Sequence, residues 1–591
     1  MNIDTTANML RRLWRQLTKK RRYQIVILFF FNIFASFAEV MGIGLVVPFI
    51  GALTMPDKLY EHELIKPFFP MLNISSAEEI ILPMTIIFGT GAFIASITRL
   101  SLIYVNHKMS NAVGLDVTTS IYRRILYQSY DYHVNTNSSE ILGLITKTNQ
   151  IVPMILMPSF SLLSSILMLV SVISLLIAMD PFLSIIVFSG FGISYFLIAF
   201  TIRKRIRRNS EIFAIEVVKN TKAVQEGLGG IRDILLDGSQ ELYARIFNTS
   251  SYRLRKVNII HSLLNAGPKF LMEFVGMMMI ALLAYSSYVY SGSINSVLPT
   301  LGALALGAQR MLPVLQQGYS AWVNIKNSQA SFSDILSSLE KPLPSRTQYF
   351  HKDPLPFSEK IQLRNLAFRY QKEMQLILDK VSLDIPKGSR IGFIGATGSG
   401  KSTFIDIIMG LLEPTEGSIT VDEQEINEKN IRAWQLNIAH VPQSIYLSDS
   451  SIAENIALGV PFEDIDHEKI KQAAKQAQIS NFIENLKDGY GTYVGERGIR
   501  LSGGQRQRIG IARALYKDAK VIVFDEATSA LDNETEKAIM KSINLLGNDL
   551  TILMIAHRLS TVKNCDKIIE LEDGKILREG SYKELFEAEK L

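Results

Sequence analysis

Long apolar stretches dominate roughly the first 325 residues of the chain, and shorter apolar runs separated by polar residues follow them. A membrane-spanning helix needs about 20 mainly apolar residues. Stretches of that length lie at about 25–53, 80–104, 151–200, 270–290 and 297–322. The stretch at 151–200 is too long for one span and contains Asp180-Pro181, so we interpret it as two helices joined by a very short turn. The pattern therefore predicts six spanning helices.

Two long polar segments separate these spans, at about 106–150 and 201–266. Both are rich in charged residues and show the periodicity of amphipathic helices. We expect the spanning helices to continue through these segments far into the cytosol, where they would contact a soluble domain. Independent loops are the alternative interpretation.

Basic residues are concentrated beside the apolar stretches, before the first span and after the fourth. Such residues usually mark the cytoplasmic side of a membrane protein. Six spans then place both termini and both long polar segments in the cytoplasm, whereas the acidic segment at about 55–78 falls outside. A solvated basic tail is the alternative for the N-terminal residues. The basic residues concerned are Arg11, Arg12, Arg15, Lys19, Lys20, Arg21, Arg22, Arg203, Lys204, Arg205, Arg207 and Arg208.

Composition adds few constraints. The net charge of +6 over 591 residues does not by itself indicate nucleic acid binding. Cys565 is the single cysteine, so an intramolecular disulfide and a cysteine-based metal site are both excluded. The first apolar stretch is too long for the core of a signal peptide and no small-residue cleavage site follows it, so we expect the N-terminus to be retained.

A few charged residues lie within or near the predicted spans, where charges are costly and tend to face a polar interior. Lys269 and Glu273 are one helical turn apart and can pair. Arg99 and Arg310 have no obvious local partner; Glu39 is a further charge in the first span. These charges suit either structural pairing at the membrane surface or, for Arg99 and Arg310, a cationic cavity for an anionic group.

Beyond residue 360 the pattern is that of a soluble α/β protein. Strands are predicted at Ile361–Tyr370, Val381–Ile385 and Arg390–Ile394, and the third leads into a glycine-rich loop and an apolar helix. The loop fits G-x-x-x-x-G-K-S, whose backbone wraps around phosphates. Lys401 is expected to reach the β- and γ-phosphates, and Ser402 to bind Mg²⁺. The predicted nucleotide-binding residues here are Gly395, Ala396, Thr397, Gly398, Ser399, Gly400, Lys401, Ser402 and Thr403.

A second phosphate-site signal follows the apolar run Val521–Phe524, which is typical of a buried parallel strand. Asp525 and Glu526 come directly after it. A carboxylate at the carboxyl end of such a strand lies beside the phosphate loop. We expect Asp525 to hold Mg²⁺ through water and Glu526 to act as the general base for the attacking water. A solvated surface acid is the alternative for Glu526.

Between these motifs stands Leu501-Ser502-Gly503-Gly504-Gln505, which resembles the signature sequence of ABC ATPases. The cassette is similar to that family in four further positions, which imply their roles. They are Tyr370 for adenine stacking, Gln443 for sensing Mg²⁺ and the γ-phosphate, Asp532 in the D-loop, and His557 as the switch histidine. The segment Thr492–Gly498 resembles a loop typical of ABC exporters.

This resemblance covers nearly the whole chain and implies a polytopic α-helical membrane domain of the ABC exporter type joined to an α/β P-loop NTPase cassette. We predict a basic N-terminal segment at 1–22, a six-helix membrane domain at 23–325, a linker at 326–358 and the cassette at 359–591. The implied cofactors are ATP and Mg²⁺, with Ser402, Gln443 and Asp525 as metal residues. The implied activity is ATP hydrolysis that drives transport across the bacterial inner membrane.

The family mechanism also implies a second chain. Ser502, Gly503, Gly504 and Gln505 of one cassette would complete the ATP site of another. A homodimer is expected, because Glu526, the signature sequence and His557 all match the active pattern; a heterodimer with a degenerate partner chain is the alternative. Membrane lipids and an amphipathic substrate are the other expected partners, and no nucleic acid is expected.

The cargo is indicated less directly. The segment Ser36–Ile50 and the later Pro67-Phe68-Phe69-Pro70 resemble bacterial flippases of lipid-linked oligosaccharides. In that family a cationic cavity receives the pyrophosphate, a role that Arg99 and Arg310 would suit. Exporters of peptides, glycolipids or hydrophobic drugs are the alternatives, and Phe68-Phe69 could instead anchor the chain at the membrane surface.

Other classes fit less well. Bacteriocin exporters with a peptidase domain are disfavoured, since no cysteine precedes Cys565. An ATP-gated channel or regulator usually joins two unequal halves and loses a catalytic site, which this chain does not. A soluble ABC ATPase of repair or translation is excluded by the spans.

Overall fold

The structure is a computed structural model that describes residues 5–54, 56–57, 76–179, 181–291, 298–343, 353–371, 373–526, 533–544, 549–556 and 559–587. The chain divides into two compact units. The first comprises residues 1–126 and 136–342, and the second comprises residues 127–135 and 343–591. Of the predicted external segment at about 55–78, residues 55 and 58–75, with Phe68-Phe69, lie outside the described residues.

The first 342 residues are helical in the part that the structure describes. The helices are α1 (Thr6–Gln16), α2 (Lys19–Gly44), α3 (Val46–Thr54), α4 (Ile81–Leu126), α5 (Tyr130–Asn135), α6 (Ser138–Asn149), α7 (Met157–Met179), α8 (Pro181–Gly229), α9 (Ile231–Asp237), α10 (Gln240–Ser291), α11 (Leu298–Asn327) and α12 (Gln329–Glu340). A π-helical turn, Val152–Leu156, precedes α7.

Three of these helices are much longer than a bilayer is thick. Helices α4, α8 and α10 contain 46, 49 and 52 residues. At 1.5 Å per residue they span about 70–80 Å, against about 30 Å for the hydrocarbon core. The prediction that spanning helices continue into the polar segments is therefore confirmed for residues 106–126, 201–229 and 240–266, whereas residues 130–149 form the separate helices α5 and α6.

Helices occur at each of the six predicted spans. Within the described residues, three segments are long and apolar enough to cross a membrane: Lys19–Gly42, Glu78–Leu126 and Val152–Ser174. The predicted fourth, fifth and sixth spans fall in α8, α10 and α11. Residues 180 and 292–297, which adjoin them, lie outside the described residues.

The first predicted span, at about 25–53, is helical but interrupted. The helix breaks at Leu45, between α2 and α3. Pro48 explains the break, because proline has no backbone N–H to donate to the carbonyl of Gly44 and its ring crowds that carbonyl. The flanking bonds persist: the N–H of Leu45 donates to the carbonyl of Met41 at 3.0 Å, and that of Phe49 to Leu45 at 3.2 Å.

Helix α1 is fixed to the polar end of this unit by both apolar and charged contacts. Met9 and Leu13 are buried in one cluster with Phe332 and Leu336 of α12. Arg12 Nε donates to Glu340 Oε1 at 2.7 Å. Lys147 of α6 forms an ion pair with Asp334 of α12 at 2.6 Å. Arg21 of α2 forms a second ion pair with Asp116 of α4 at 2.8 Å.

The second unit is an α/β domain with two sheets. An antiparallel sheet has the order β2-β1-β4-β5, and a mainly parallel sheet has the order β10-β9-β3-β8-β7-β6. The strands are β1 (Lys360–Phe368), β2 (Leu378–Pro386), β3 (Arg390–Ile394), β4 (Glu416–Val421), β5 (Gln424–Glu425), β6 (Ile438–Val441), β7 (Val521–Asp525), β8 (Thr551–Ile555), β9 (Lys567–Glu572) and β10 (Lys575–Gly580). The four predicted strands are confirmed as β1, β2, β3 and β7.

Short helices surround the parallel sheet. They are α13 (Lys401–Ile408), α14 (Ile431–Leu436), α15 (Ile452–Ile456), α16 (His467–Gln476), α17 (Ser480–Glu484), α18 (Gly503–Tyr516), α19 (Asn533–Asn544) and α20 (Leu559–Val562). Trp434 is fully buried, and its indole N–H donates to the carbonyl of Ile408 at 2.8 Å, which ties α14 to α13.

Candidate functional site

The predicted phosphate-site residues gather at one edge of the parallel sheet. Strand β3 pairs in parallel with β8, and β8 with β7, which pairs in turn with β6. The carboxyl ends of these strands therefore lie side by side, where ligands bind in such sheets. The glycine-rich loop follows β3, Gln443 follows β6, and β7 ends at Asp525.

Two positions of the loop admit only glycine. Gly395 has φ +143°, and a Cβ there would lie 2.2 Å from the carbonyl oxygen of Leu571. Gly400 has φ +96°, and its Cβ would lie 2.9 Å from the carbonyl oxygen of Ile377. Because both positive φ and close backbone approach exclude other residues, these glycines set the path of the loop.

Lys401 begins helix α13 and points back over the loop. Its ammonium Nζ donates to the carbonyl oxygens of Gly395 and Ala396, each at 2.8 Å. Burial lowers the pKa of Lys401, while the charges of Glu526 and Asp525 oppose that shift. The ammonium group is thus held inside the loop by weak neutral acceptors, which a phosphate oxygen would replace with a stronger charged one.

A cavity of about 640 Å³ opens at the loop. Its walls bring together six of the predicted nucleotide-binding residues and the predicted general base. They are Thr397, Gly398, Gly400, Lys401, Ser402, Thr403 and Glu526. The volume lies in the range of small-molecule sites, and the Oγ of Ser399, buried in the same loop, has no hydrogen-bond partner within the described residues. The donor set therefore fits a nucleotide phosphate.

Glu526 and Gln443 meet directly, although 83 positions separate them in the chain. Gln443 Nε2 donates to Glu526 Oε2 at 2.7 Å. The backbone of Glu526 is in the left-handed region at φ +49°, and its N–H donates to the carbonyl of Ile555 at 3.1 Å. This turn at the end of β7 directs the carboxylate into the cavity, where it can accept a proton from water.

A further part of the cavity wall could not be predicted from the sequence. It is formed by Gln375, Leu376 and Ile377 before β2, and by Asp573 and Gly574 in the β9–β10 turn. Asp573-Gly574 is a turn signal by composition, but nothing local indicates that this turn reaches the phosphate loop. The approach is close, since a Cβ on Gly574 would lie 2.4 Å from the carbonyl oxygen of Ile377.

Asp406, a partly buried residue of α13, is a second group that the sequence did not indicate. Burial raises its pKa to about 6, and the charge of Asp525 adds to the shift. Burial likewise raises the pKa of Tyr130, with contributions from Asp406 and Tyr370. Helix α5 therefore lies within the second unit beside α13 and the predicted adenine-stacking tyrosine, whose ring also meets that of Phe368 edge-on at 5.0 Å.

The Asp406 shift predicts a pH dependence of stability. Its folded-state pKa of about 6 exceeds the ordinary value of 3.8, so between about pH 4 and 6 the folded unit binds more protons than the unfolded chain. The free energy of unfolding should therefore fall as pH rises through that window. Asp406→Asn should remove this part of the slope in thermal unfolding of the full chain, whereas Asp464→Asn, at an exposed position, should retain it. Equal slopes in all three proteins would contradict the assignment.

The signature sequence forms the start of α18. Ser502 caps the helix, because its Oγ accepts from the N–H of Gln505 at 3.2 Å while Gln505 Oε1 accepts from the N–H of Ser502 at 2.8 Å. Gly503 and Gly504 occupy the first turn, whose N–H groups and dipole favour an anion. Within the described residues, none of these four lines the 640 Å³ cavity.

The remaining predicted site residues divide into two groups. Tyr370, Gly395, Ala396, Ser399, Gln443 and Asp525 lie in the second unit but outside the lining of the cavity as the structure describes it. Asp532 and His557 lie outside the described residues.

For Arg99, which has no obvious partner nearby in the sequence, the structure supports the alternative of structural pairing. Its guanidinium pairs with Glu39 Oε1 at 2.8 Å, between the neighbouring helices α4 and α2. The sequence could not show this pair, since 60 positions separate the two residues. Lys269 and Glu273 pair at 3.8 Å, as predicted. The side chain of Arg310 lies outside the described residues.

Comparisons with known proteins agree with these features. The family model of the ABC transporter transmembrane region matches residues 24–304, and that of the ABC transporter matches residues 378–529. An ATP-dependent lipid A-core flippase of Ralstonia nicotianae is 26% identical over 85% of this chain and 84% of its own length. The heterocyst differentiation ATP-binding protein HepA of a Nostoc species is 29% identical over 97% of this chain and 93% of its own length.

Among solved structures, a bacterial Atm1-family ABC exporter with ATP bound superposes with a TM-score of 0.78. The alignment covers 97% of this chain and 96% of that one, at 21% identity. At this identity the likeness concerns the fold alone, and it confirms the predicted combination of a helical exporter domain with an ATP-binding cassette.

Proposed function

Because the chain belongs to the ABC transporter family, in which an ATP-hydrolysing cassette drives a membrane region, we propose that it moves an amphipathic lipid, best matched by a lipid-linked saccharide, across the bacterial inner membrane. The observation that carries the ATP-driven part is the cavity that joins the phosphate loop to Glu526. The lipid part rests on the likeness to a lipid A-core flippase, which is 26% identical over 85% of this chain.

Within the cassette, we assign nucleotide binding to the loop from Gly395 to Thr403, with Lys401 on the β- and γ-phosphates. Tyr370 stacks on the adenine. Mg²⁺ prefers hard oxygen ligands, which Ser402, Gln443 and Asp525 supply. When bound, the ion neutralises phosphate charge during hydrolysis. Glu526 takes a proton from the attacking water, and His557 and Asp532 complete the site.

The assembly that we propose is a homodimer. In each chain the phosphate loop lines the ATP cavity. The signature residues lie at the start of α18, where the N-terminus of the helix can bind an anion. The Ser502–Gln505 segment of each chain then closes the ATP site of the other. In this arrangement two ATP molecules are enclosed between two chains, and hydrolysis releases the closure. The cassettes and both termini face the cytoplasm.

The surface of the membrane helices suits a lipid environment. Large apolar side chains are exposed on α2, α4 and α8, including Phe30, Phe93 and Phe196, which are 63–68% exposed. The cargo contact expected at Arg99 is less favoured than the sequence suggests, because Glu39 already balances that charge. Arg310 remains a proposed cavity residue.

The function can be tested in proteoliposomes that contain the full chain. ATP hydrolysis and ATP-dependent translocation are measured with three probes: a pyrophosphate-linked saccharide lipid, a peptide and a hydrophobic dye. We expect the lipid probe to stimulate hydrolysis and to be translocated. Glu526→Gln should abolish both, because the lipid moves only when the cassette turns over.

Two outcomes would overturn the proposal. Translocation of the peptide or the dye, with no response to the lipid, would assign the chain to the alternative export classes. A mass of one chain per particle, measured by light scattering in detergent with ATP bound to the Glu526→Gln protein, would contradict the homodimer.

A further inference from the structure

A small cavity of about 120 Å³ lies within the first unit, where four of its helices meet near their polar ends. Helix α8 contributes Arg203 and Arg207, and α11 contributes Lys326. The first residue of α12, Gln329, and the residue that caps α1, Thr5, complete its polar lining. It is separate from the ATP cavity, which belongs to the second unit.

The positive charges of this cavity are poorly balanced. Within the described residues, Arg203 and Lys326 form no ion pair. Arg207 pairs with Glu211 at 3.3 Å, but both side chains are about half exposed, and exposed pairs of this kind are weak. Lys326 lies beyond the predicted end of the sixth span; burial and the charge of Arg203 together lower its pKa. Cations held close together without a counter-charge favour the binding of an anion.

Two helix N-termini add to this positive potential. Helix α1 has 11 residues and begins after Thr5, and α12 has 12 residues and begins at Gln329. Each helix start carries roughly half a positive charge. Some first-turn N–H groups are already used, since that of Asn8 donates to Thr5 Oγ1 at 3.4 Å and that of Ala330 to Ser210 Oγ at 3.0 Å, but the helix dipoles remain. The cavity therefore combines three cationic side chains with the positive ends of two helices, which is the chemistry that recognises a phosphate group.

The apolar part of the lining indicates where that phosphate comes from. Ile206 is buried and Trp322 is half-buried, with its ring centroid 6.1 Å from that of Tyr319. Tryptophan is enriched at the level of lipid headgroups, and basic residues gather at the cytoplasmic surface. Arg203 follows the apolar residues 181–202 of α8. The cavity thus lies at the depth where an apolar span ends and headgroups begin.

The size of the cavity limits what it can enclose. At roughly 30 Å³ per water molecule, it has room for about four, which suits a phosphate group of five heavy atoms. A complete small-molecule ligand usually needs a pocket of about 300–1,000 Å³. The acyl chains and the rest of a lipid headgroup would remain outside.

We propose that this cavity binds the phosphate group of an anionic membrane lipid in the leaflet that borders the cassette side of the helices. Basic pockets between spanning helices bind such headgroups in other membrane proteins. Arg203 and Lys326 donate to the phosphate oxygens and Trp322 contacts the glycerol region. The site holds its lipid without ATP, so it does not depend on the transport function proposed above.

The test uses native mass spectrometry to measure how well the full chain binds phosphatidylglycerol and phosphatidylcholine. We expect preferential binding of phosphatidylglycerol. The double variant Arg203→Gln/Lys326→Gln should weaken that binding about tenfold or more, since each contact to a charged group is lost. The matched control is Arg205→Gln, which removes an exposed arginine of the same helix that does not line the cavity.

A charge-preserving variant separates binding from folding. Arg203→Lys/Lys326→Arg should bind phosphatidylglycerol within about threefold of the natural protein, because the charges and donors persist. If the double glutamine variant and Arg205→Gln lose phosphatidylglycerol binding equally, or if neither loses it, the proposed site is wrong. If inorganic phosphate saturates the site at concentrations at which phosphatidylglycerol does not bind, the lipid assignment is wrong.

Discussion

Replacing Glu526 with glutamine is expected to slow ATP hydrolysis by about 10²–10⁴-fold, the usual contribution of a positioned general base, while ATP still binds. Glutamine has the size of glutamate and keeps a carbonyl oxygen that can accept the hydrogen bond from Gln443, now 2.7 Å long. The turn at φ +49° is set by the backbone and should persist. The loss therefore isolates the proton-accepting role.

Hydrolysis should be measured on the full chain in detergent and in lipid, with ATP binding measured in parallel by a fluorescent analogue. Glu463→Gln, at an exposed position away from the cavity, is the matched control and should hydrolyse ATP normally. Normal turnover in Glu526→Gln would remove Glu526 as the base. Loss of binding along with turnover would instead give it a structural role in shaping the cavity.

Lys401→Ala is expected to produce the opposite pattern, in which ATP binding itself is weakened. The ammonium group donates to the carbonyls of Gly395 and Ala396 and lies in the cavity wall. Removing a charged donor costs about 1.5–3 kcal/mol, which corresponds to roughly a 10–150-fold loss of affinity. The loss is smaller than the full strength of the phosphate contact, because Lys401 already donates to two carbonyls in the free protein and exchanges those bonds for the phosphate.

Equilibrium binding of ATP to the full chain measures this loss directly. Lys475→Ala, which removes an exposed lysine from the last turn of α16, should bind ATP with unchanged affinity. If Lys401→Ala also binds normally, its phosphate contact is wrong. Comparison with Glu526→Gln then separates binding from chemistry, since only one of the two variants should retain the nucleotide.

The sequence predicts local features of this protein well. The phosphate loop could be located because its residues are contiguous and its flanking elements, β3 and α13, have distinct apolar patterns. Asp525 and Glu526 could be placed for the same reason, at the end of a strand with four buried apolar residues. In each case the information that specifies the site lies within about ten residues.

Features that depend on distant residues could not be predicted. The sequence does not identify the partner of Arg99, because Glu39 lies on another helix, 60 positions away. The cavity wall at Asp573-Gly574 depends on sheet order, which brings the β9–β10 turn to the residues before β2. In the sequence, Asp406 resembles any other polar helix residue, because its raised pKa depends on burial by distant parts of the chain. Pro48 differs from these, because its effect on the first span is local and follows from the sequence alone.

Helix α5 has a consequence for the order in which this protein is made. Tyr130–Asn135 belongs to the second unit, whose main part begins at residue 343, 208 positions later. At about 5–20 residues per second, the ribosome needs roughly 10–40 s to reach residue 343. Throughout that time α5 has none of its own unit's later residues to pack against. Folding of the second unit therefore closes a chain loop of about 200 residues between α5 and residue 343. A substitution that weakens the packing of α5 would first slow the folding of newly made chains.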